Sequence, residues 1–83
     1  MTLASQRPAV RLGEFLRDMR SGLDDAGLMR KHGLSESGLN RVLGELIRRG
    51  YISVSQLRER SQIRESQVFR AFLDDQNGFK ISD

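Results

Sequence analysis

The 83-residue chain has no cysteine and no tryptophan, and it holds one proline, one histidine and one tyrosine. Without cysteine there are neither disulfides nor thiolate metal sites. His32 is the sole histidine, no Ser-His-Asp, Cys-His or metal-ligand spacing is present, and no glycine-rich phosphate loop follows a strand. The chain therefore reads as a non-enzyme without a cofactor. No apolar run approaches the roughly 20 residues that span a bilayer. Nothing after Met1 has the apolar region of a secretory leader. The expectation is a cytoplasmic protein with no membrane partner.

Neither sign of charge dominates. Fourteen basic residues face 11 acidic ones for a net charge of +3. Twelve of the 14 are arginine, whose fork of donors suits phosphate and guanine better than the point charge of lysine. Apolar residues make up 37% of the chain, enough for one small core. A domain of this size is marginal alone, so a homodimer would be a natural supplement.

Periodicity divides the chain into a leader over residues 1–9, a helical domain over 10–74 and a C-terminal tail over 75–83. The expected fold class is all-α, a small domain of four to five helices. Leu12, Phe15, Leu16 and Met19 form one apolar stripe of a helix over about 10–20, which Ser21-Gly22 ends. Asp24 and Asp25 read as the capping, dipole-matching start of a second helix over 25–32, rather than as acid/base or metal chemistry. A third helix spans about 35–49 and closes on Arg48-Arg49-Gly50. Gly38 and Gly44 within it each cost about 1 kcal/mol relative to alanine, which implies close packing against a neighbouring helix or a partner. Tyr51-Ile52-Ser53-Val54 reads as a connector, and Ser55 as the cap of a fourth helix.

The most informative stretch joins the second and third helices. Leu28, Met29, Leu34, Leu39, Val42 and Leu43 are its apolar positions. Gly33 falls where the chain must turn with positive φ, and Ser35 stands where a hydroxyl can cap the next helix. Over about 20 residues this stretch resembles the helix-turn-helix superfamily, with Gly33 as the turn residue and Leu28, Leu34, Leu39 and Val42 as the buried positions. It departs at His32, where an apolar residue is usual, and at Met29, where alanine is common. A longer stretch over 10–60 resembles a small bacterial helical domain linked to uncharacterised and signalling proteins. The matching elements are R-D-M-R-S-G-L-D-D from Arg17, L-M-R-K-H-G-L-S from Leu28, S-G-L-N-R-V-L from Ser37 and L-I-R-R-G-Y-I-S from Leu46. That likeness implies a fold and no particular activity.

The helix-turn-helix resemblance implies double-stranded DNA as partner and transcriptional or related regulation as role. It places the third helix in the major groove, with Ser35, Ser37, Asn40 and Arg41 at base edges. Asn40 suits adenine and Arg41 suits guanine. Arg30, Lys31, Arg48 and Arg49 suit phosphates. Glu36 opposes phosphate unless it accepts from cytosine. The alternative is a protein-interaction or dimerisation module without nucleic acid, favoured by the interleaved acids and by Phe69, Phe72 and Phe79.

A shift of 29 residues superimposes Leu28 on Leu57, Leu34 on Ile63, Glu36-Ser37 on Glu65-Ser66, Leu39 on Val68, Arg41 on Arg70 and Leu43 on Phe72. A second, degenerate helix-turn-helix over 55–73 is the expectation, with a single packing helix as the alternative. Gln62 takes the place of the turn glycine, and Phe69 stands where Asn40 does. Both changes point to a structural or dimerising role for the second copy.

Overall fold

The computed structural model describes residues 10–75, which form an all-α domain. Its helices are α1 (Leu12–Ser21), α2 (Asp25–His32), α3 (Glu36–Arg48), α4 (Val54–Arg58) and α5 (Glu65–Asp75), with a 3-10 turn over Arg60–Gln62. The expected leader over 1–9, the tail after Asp75 and the aromatic Phe79 lie outside the described residues. No helix among the described residues is long and apolar enough to cross a membrane.

The stripe on α1 forms the centre of the core. Leu12, Phe15, Leu16 and Met19 are fully buried, and α1 packs on α2, α5 and the 3-10 turn. Each such side chain contributes roughly 1.5–3 kcal/mol by leaving water. α1 and α5 approach closely at Gly13, where a methyl group would lie 3.0 Å from the Cα of Phe72. A side chain there would require the α5 backbone to give by a few tenths of an ångström.

α1 lacks a cap of its own, since the side chain of Arg11 makes no capping hydrogen bond. The carboxylate of Asp75 supplies it, accepting from the backbone N–H groups of Leu12 and, at 2.9 Å, Gly13. The sequence placed Asp75 in the 75–83 tail. It is instead the last residue of α5, held there because its charge satisfies two orphan donors at the positive end of α1.

The start of α4 also differs from expectation. Ser53, not Ser55, is its cap, and Ser53 and Gln56 form a reciprocal capping box with both hydrogen bonds made. A serine followed three residues later by glutamine is the pattern that satisfies two donors at once. Residues 51–52 form a bend, in keeping with the connector expected over 51–54, but Val54 already opens α4.

Over the stretch 55–73, where a second copy was expected, α4, the 3-10 turn and α5 follow one another, and the burial pattern repeats only in part: Leu57 is partly buried and Phe72 exposed where Leu28 and Leu43 are buried. Ile63, Val68 and Ala71 are buried as Leu34, Leu39 and Val42 are. The connection differs because Gln62 is not a glycine. No residue other than glycine has positive φ among the described residues, and Gln62 closes a 3-10 turn, followed by Ile63 in an extended conformation. α4 has 5 residues, against 8 in α2.

Tyr51 is buried in the core. Burial pushes its phenol pKa up, the carboxylate of Asp74 adds to the rise, and Arg49 partly offsets it. A phenol raised in the folded state stabilises the fold below its unfolded value of about 10, and that contribution is lost as pH rises through the folded value. Because this is the only tyrosine and there is no tryptophan, tyrosinate absorbance reports on it alone. The expected titration midpoint lies above 10 in the folded protein and returns to about 10 in urea. A folded midpoint at or below the urea value would contradict this placement.

Candidate nucleic-acid interface

The α2–α3 connection is three residues long. Gly33 adopts φ +65°, ψ +41°, the left-handed conformation that a side chain would strain. The N–H of Leu34 then reaches back to the Met29 carbonyl at 2.9 Å, and the Leu34 side chain enters the core. Ser35 caps α3 through its hydroxyl, which accepts from the Gly38 N–H at 3.0 Å. At the other end of the unit, Asp24 caps α2 by accepting from the Gly27 N–H at 2.8 Å, as its position before the helix implied.

With both starts capped, α3 presents two distinct faces. Leu39, Val42, Leu43 and Leu46 are buried, while Glu36, Ser37, Asn40, Arg41, Gly44 and Arg48 are exposed. Three of the four predicted base-contact residues are therefore together on one outer face, and Ser35 stands at its leading edge as the cap. The hydroxyls of Ser35 and Ser37 are 3.3 Å apart. Among the described residues, the side chains of Asn40 and Arg41 make no hydrogen bond or ion pair.

Gly44 continues this face one turn beyond Asn40 and Arg41. The sequence implied that Gly38 and Gly44 permit close packing. Gly38 is buried, but Gly44 is exposed, and a methyl group added there would meet nothing within 4 Å. The fold itself does not require glycine at this position.

The four phosphate candidates divide. Arg30 is exposed and has no side-chain partner among the described residues. Lys31 pairs with Asp18 at 2.9 Å and Glu14 at 3.4 Å. Its pKa is raised, chiefly by the hydrogen bond to Asp18. Arg48 forms a two-pronged pair with Glu45, with its Nε at 2.9 Å. Arg49 reaches both Glu45 at 3.4 Å and Asp74 at 2.6 Å. The Arg48 hydrogen bond is the main reason that the Glu45 carboxyl is held below its ordinary pKa. The Glu45 pairs were legible in the i+3 and i+4 spacing on one helix. The pairs with Asp18 and Asp74 cross between helices and left no local signal.

One feature went unread in the sequence. His32, the last residue of α2, turns inward. Its ring is nearly buried, packs at 5.0 Å from the Phe15 ring, and places Nε2 2.9 Å from Asp18 Oδ2. This explains the departure from an apolar residue at that position: the polar nitrogen has a built partner on α1. On α5, Phe69 and Phe72, which the sequence offered as an interaction surface, are 63% and 50% exposed, and Leu73 beside them is 52% exposed. Comparison with protein-family models, with curated proteins and with solved structures gives no match to this chain, and the reading of its two surfaces rests on their own side chains.

Proposed function

We propose that this domain is a double-stranded DNA-binding module that inserts α3 into the major groove, acting in transcriptional or related regulation. The observation that carries it is the outer face of α3, where Asn40 and Arg41 project from a doubly capped helix with no partner among the described residues. An exposed arginine is hydrated and gives up that water only for well-matched acceptors; guanine N7 and O6 match its donors, and adenine matches the amide of Asn40. Arg30 is the first candidate for a phosphate. Lys31, Arg48 and Arg49 reach phosphates only by giving up carboxylate partners. Exposed pairs are weak enough for such an exchange.

Gly44 fits the same reading, since an unshielded glycine on the face leaves room for a base edge. Replacing it with alanine is expected to raise stability by about 1 kcal/mol through helix propensity and to weaken duplex binding at the same time. Fluorescence anisotropy with random duplexes, at about 50 and 200 mM salt, tests both positions. Micromolar affinity that falls steeply with salt is expected, with weaker binding for Arg41→Ala and Gly44→Ala and melting curves that rise only for the latter. Unchanged duplex affinity in both variants would remove α3 from the interface. Absence of binding by folded protein at low salt would favour the second reading, a protein-interaction module, which the exposed row on α5 supports independently.

A further inference from the structure

Glu45 borders the outer face of α3. It stands one residue after Gly44, four after Arg41 and three before Arg48, and it is partly buried. Residues three and four apart are neighbours on a helix, so Arg41, Arg48 and Arg49 all compete for this one carboxylate. Arg48 and Arg49 hold it. Arg48 grips it with a terminal nitrogen and with Nε at 2.9 Å, and Arg49 lies at 3.4 Å. Arg41 makes no ion pair among the described residues.

The order along the helix explains the choice. Glu45 precedes Arg48 and Arg49, the arrangement that favours an acid–base pair, and follows Arg41, the weaker arrangement. Arg48 also sits in the last turn of α3, where a cation complements the helix dipole. Arg49 is divided, because Asp74 of α5 holds its Nη1 at 2.6 Å, closer than Glu45 does. Arg48 is therefore the principal hold on Glu45. Its hydrogen bond is the largest cause of the fall in the carboxyl pKa, against an opposing push from burial.

That bond shapes the reading face. Arg41 and Arg48 are about two turns apart and lie along one side of α3, with Glu45 beside and between them. Were Arg48 to leave for a phosphate, the carboxylate would be released within reach of Arg41. It would then compete with guanine for the same donors and repel the nearby backbone. The Arg48 pair is weak in itself, but the cost of breaking it falls also on the residue that reads the base.

We propose that Arg48 is a positioning residue for Arg41: by engaging Glu45 it keeps that carboxylate off the guanidinium that meets the base edge. The assignment rests on the groove-reading role proposed for α3, and it takes Arg48 out of the phosphate contacts. Arg48 acts through Glu45 and touches no nucleotide.

Two measurements on the full chain test this. The first uses no DNA. The Glu45 carboxyl is titrated by heteronuclear NMR in the parent and in Arg48→Gln, each with and without Arg41→Ala. Arg48→Gln should raise the midpoint toward the ordinary glutamate range. Arg41→Ala should leave the parent midpoint unchanged and raise that of Arg48→Gln further by about 0.3, the worth of an i, i+4 pair. The second is a cycle of affinities for random duplexes. Arg41→Ala should weaken binding about tenfold in the parent but no more than about threefold beside Arg48→Gln, where Glu45 already occupies Arg41. Adding Glu45→Gln to Arg48→Gln should bring the full cost of Arg41→Ala back. All three side chains lie outside the buried core, and circular dichroism verifies that the variants fold. An equal cost of Arg41→Ala in all three backgrounds would overturn the assignment and return Arg48 to the phosphates. So would a Glu45 midpoint that Arg41→Ala moves equally in both backgrounds, or in neither. Absence of duplex binding by the folded parent would remove the groove reading and this role with it, a failure that the titration, made without DNA, keeps distinct from the others.

Discussion

Phe15→Ala is expected to destabilise the domain by about 3–5 kcal/mol, the range for deleting a buried aromatic ring. The ring is fully buried on α1, the helix against which α2, α5 and the 3-10 turn all pack, and it forms one wall of the His32 site. Its loss would open a cavity where several elements converge, and an α1 so tightly fixed leaves them little freedom to collapse into it. A domain of 83 residues has a total stability of roughly 4–12 kcal/mol at 0.05–0.15 kcal/mol per residue. At the lower end of that range the variant is partly or wholly unfolded, and at the upper end its urea midpoint falls by a large fraction, without any loss of a surface contact. Urea melts followed by far-ultraviolet circular dichroism measure the change. Phe15→Leu, which keeps most of the volume, should cost much less. A loss of under about 1 kcal/mol for the alanine variant would mean that the centre of the core lies elsewhere. Duplex binding should fall in parallel with the folded fraction, because α3 is positioned through α2 and α2 through α1.

What could be read from the sequence was local. α2 and α3 were legible nearly to the residue because Asp24, Gly33 and Ser35 carry their chemistry within three or four positions of the groups they satisfy. The outer face of α3 followed from the same periodicity. The 29-residue register carried less: Ile63 and Val68 are buried as Leu34 and Leu39 are, but Phe72, in the place of the buried Leu43, is half exposed. What the sequence withheld was long-range. Asp75 caps α1 from 63 positions away, and no pattern near Leu12 announces it. Lys31 and Arg49 looked like open cations because their main partners, Asp18 and Asp74, lie on other helices. Gly44 misled for another reason. A helix-interior glycine implies that something comes close, and here the chain itself supplies nothing.

The junction of Asp18 and His32 links the core to the turn that presents α3, and removal of its carboxylate is the second large effect expected. The two side chains are 14% and 7% exposed, and Asp18 also accepts from Lys31 at 2.9 Å. Asp18→Ala leaves the His32 Nε2 without its partner in a site nearly closed to water, a loss of about 2–3 kcal/mol. Asp18→Asn keeps an acceptor of the same shape and should lose distinctly less. His32→Ala gives up both the hydrogen bond and the packing against Phe15, so its cost alone cannot separate the two. The double variant can. If the hydrogen bond is what Asp18 contributes, Asp18→Ala adds little once His32 is gone, and the pair falls short of additivity by about 1 kcal/mol or more. Strict additivity in urea melts would mean that the carboxylate acts through Lys31 or the helix ends instead. A coupled pair also has a consequence beyond stability. His32 is the last residue of α2 and immediately precedes Gly33, so loosening it frees the turn while the caps of α3 remain intact. Asp18→Ala should then weaken duplex binding even at temperatures where the protein remains fully folded, an effect that the exposed Arg41→Ala produces by a different route and without any change in the melt.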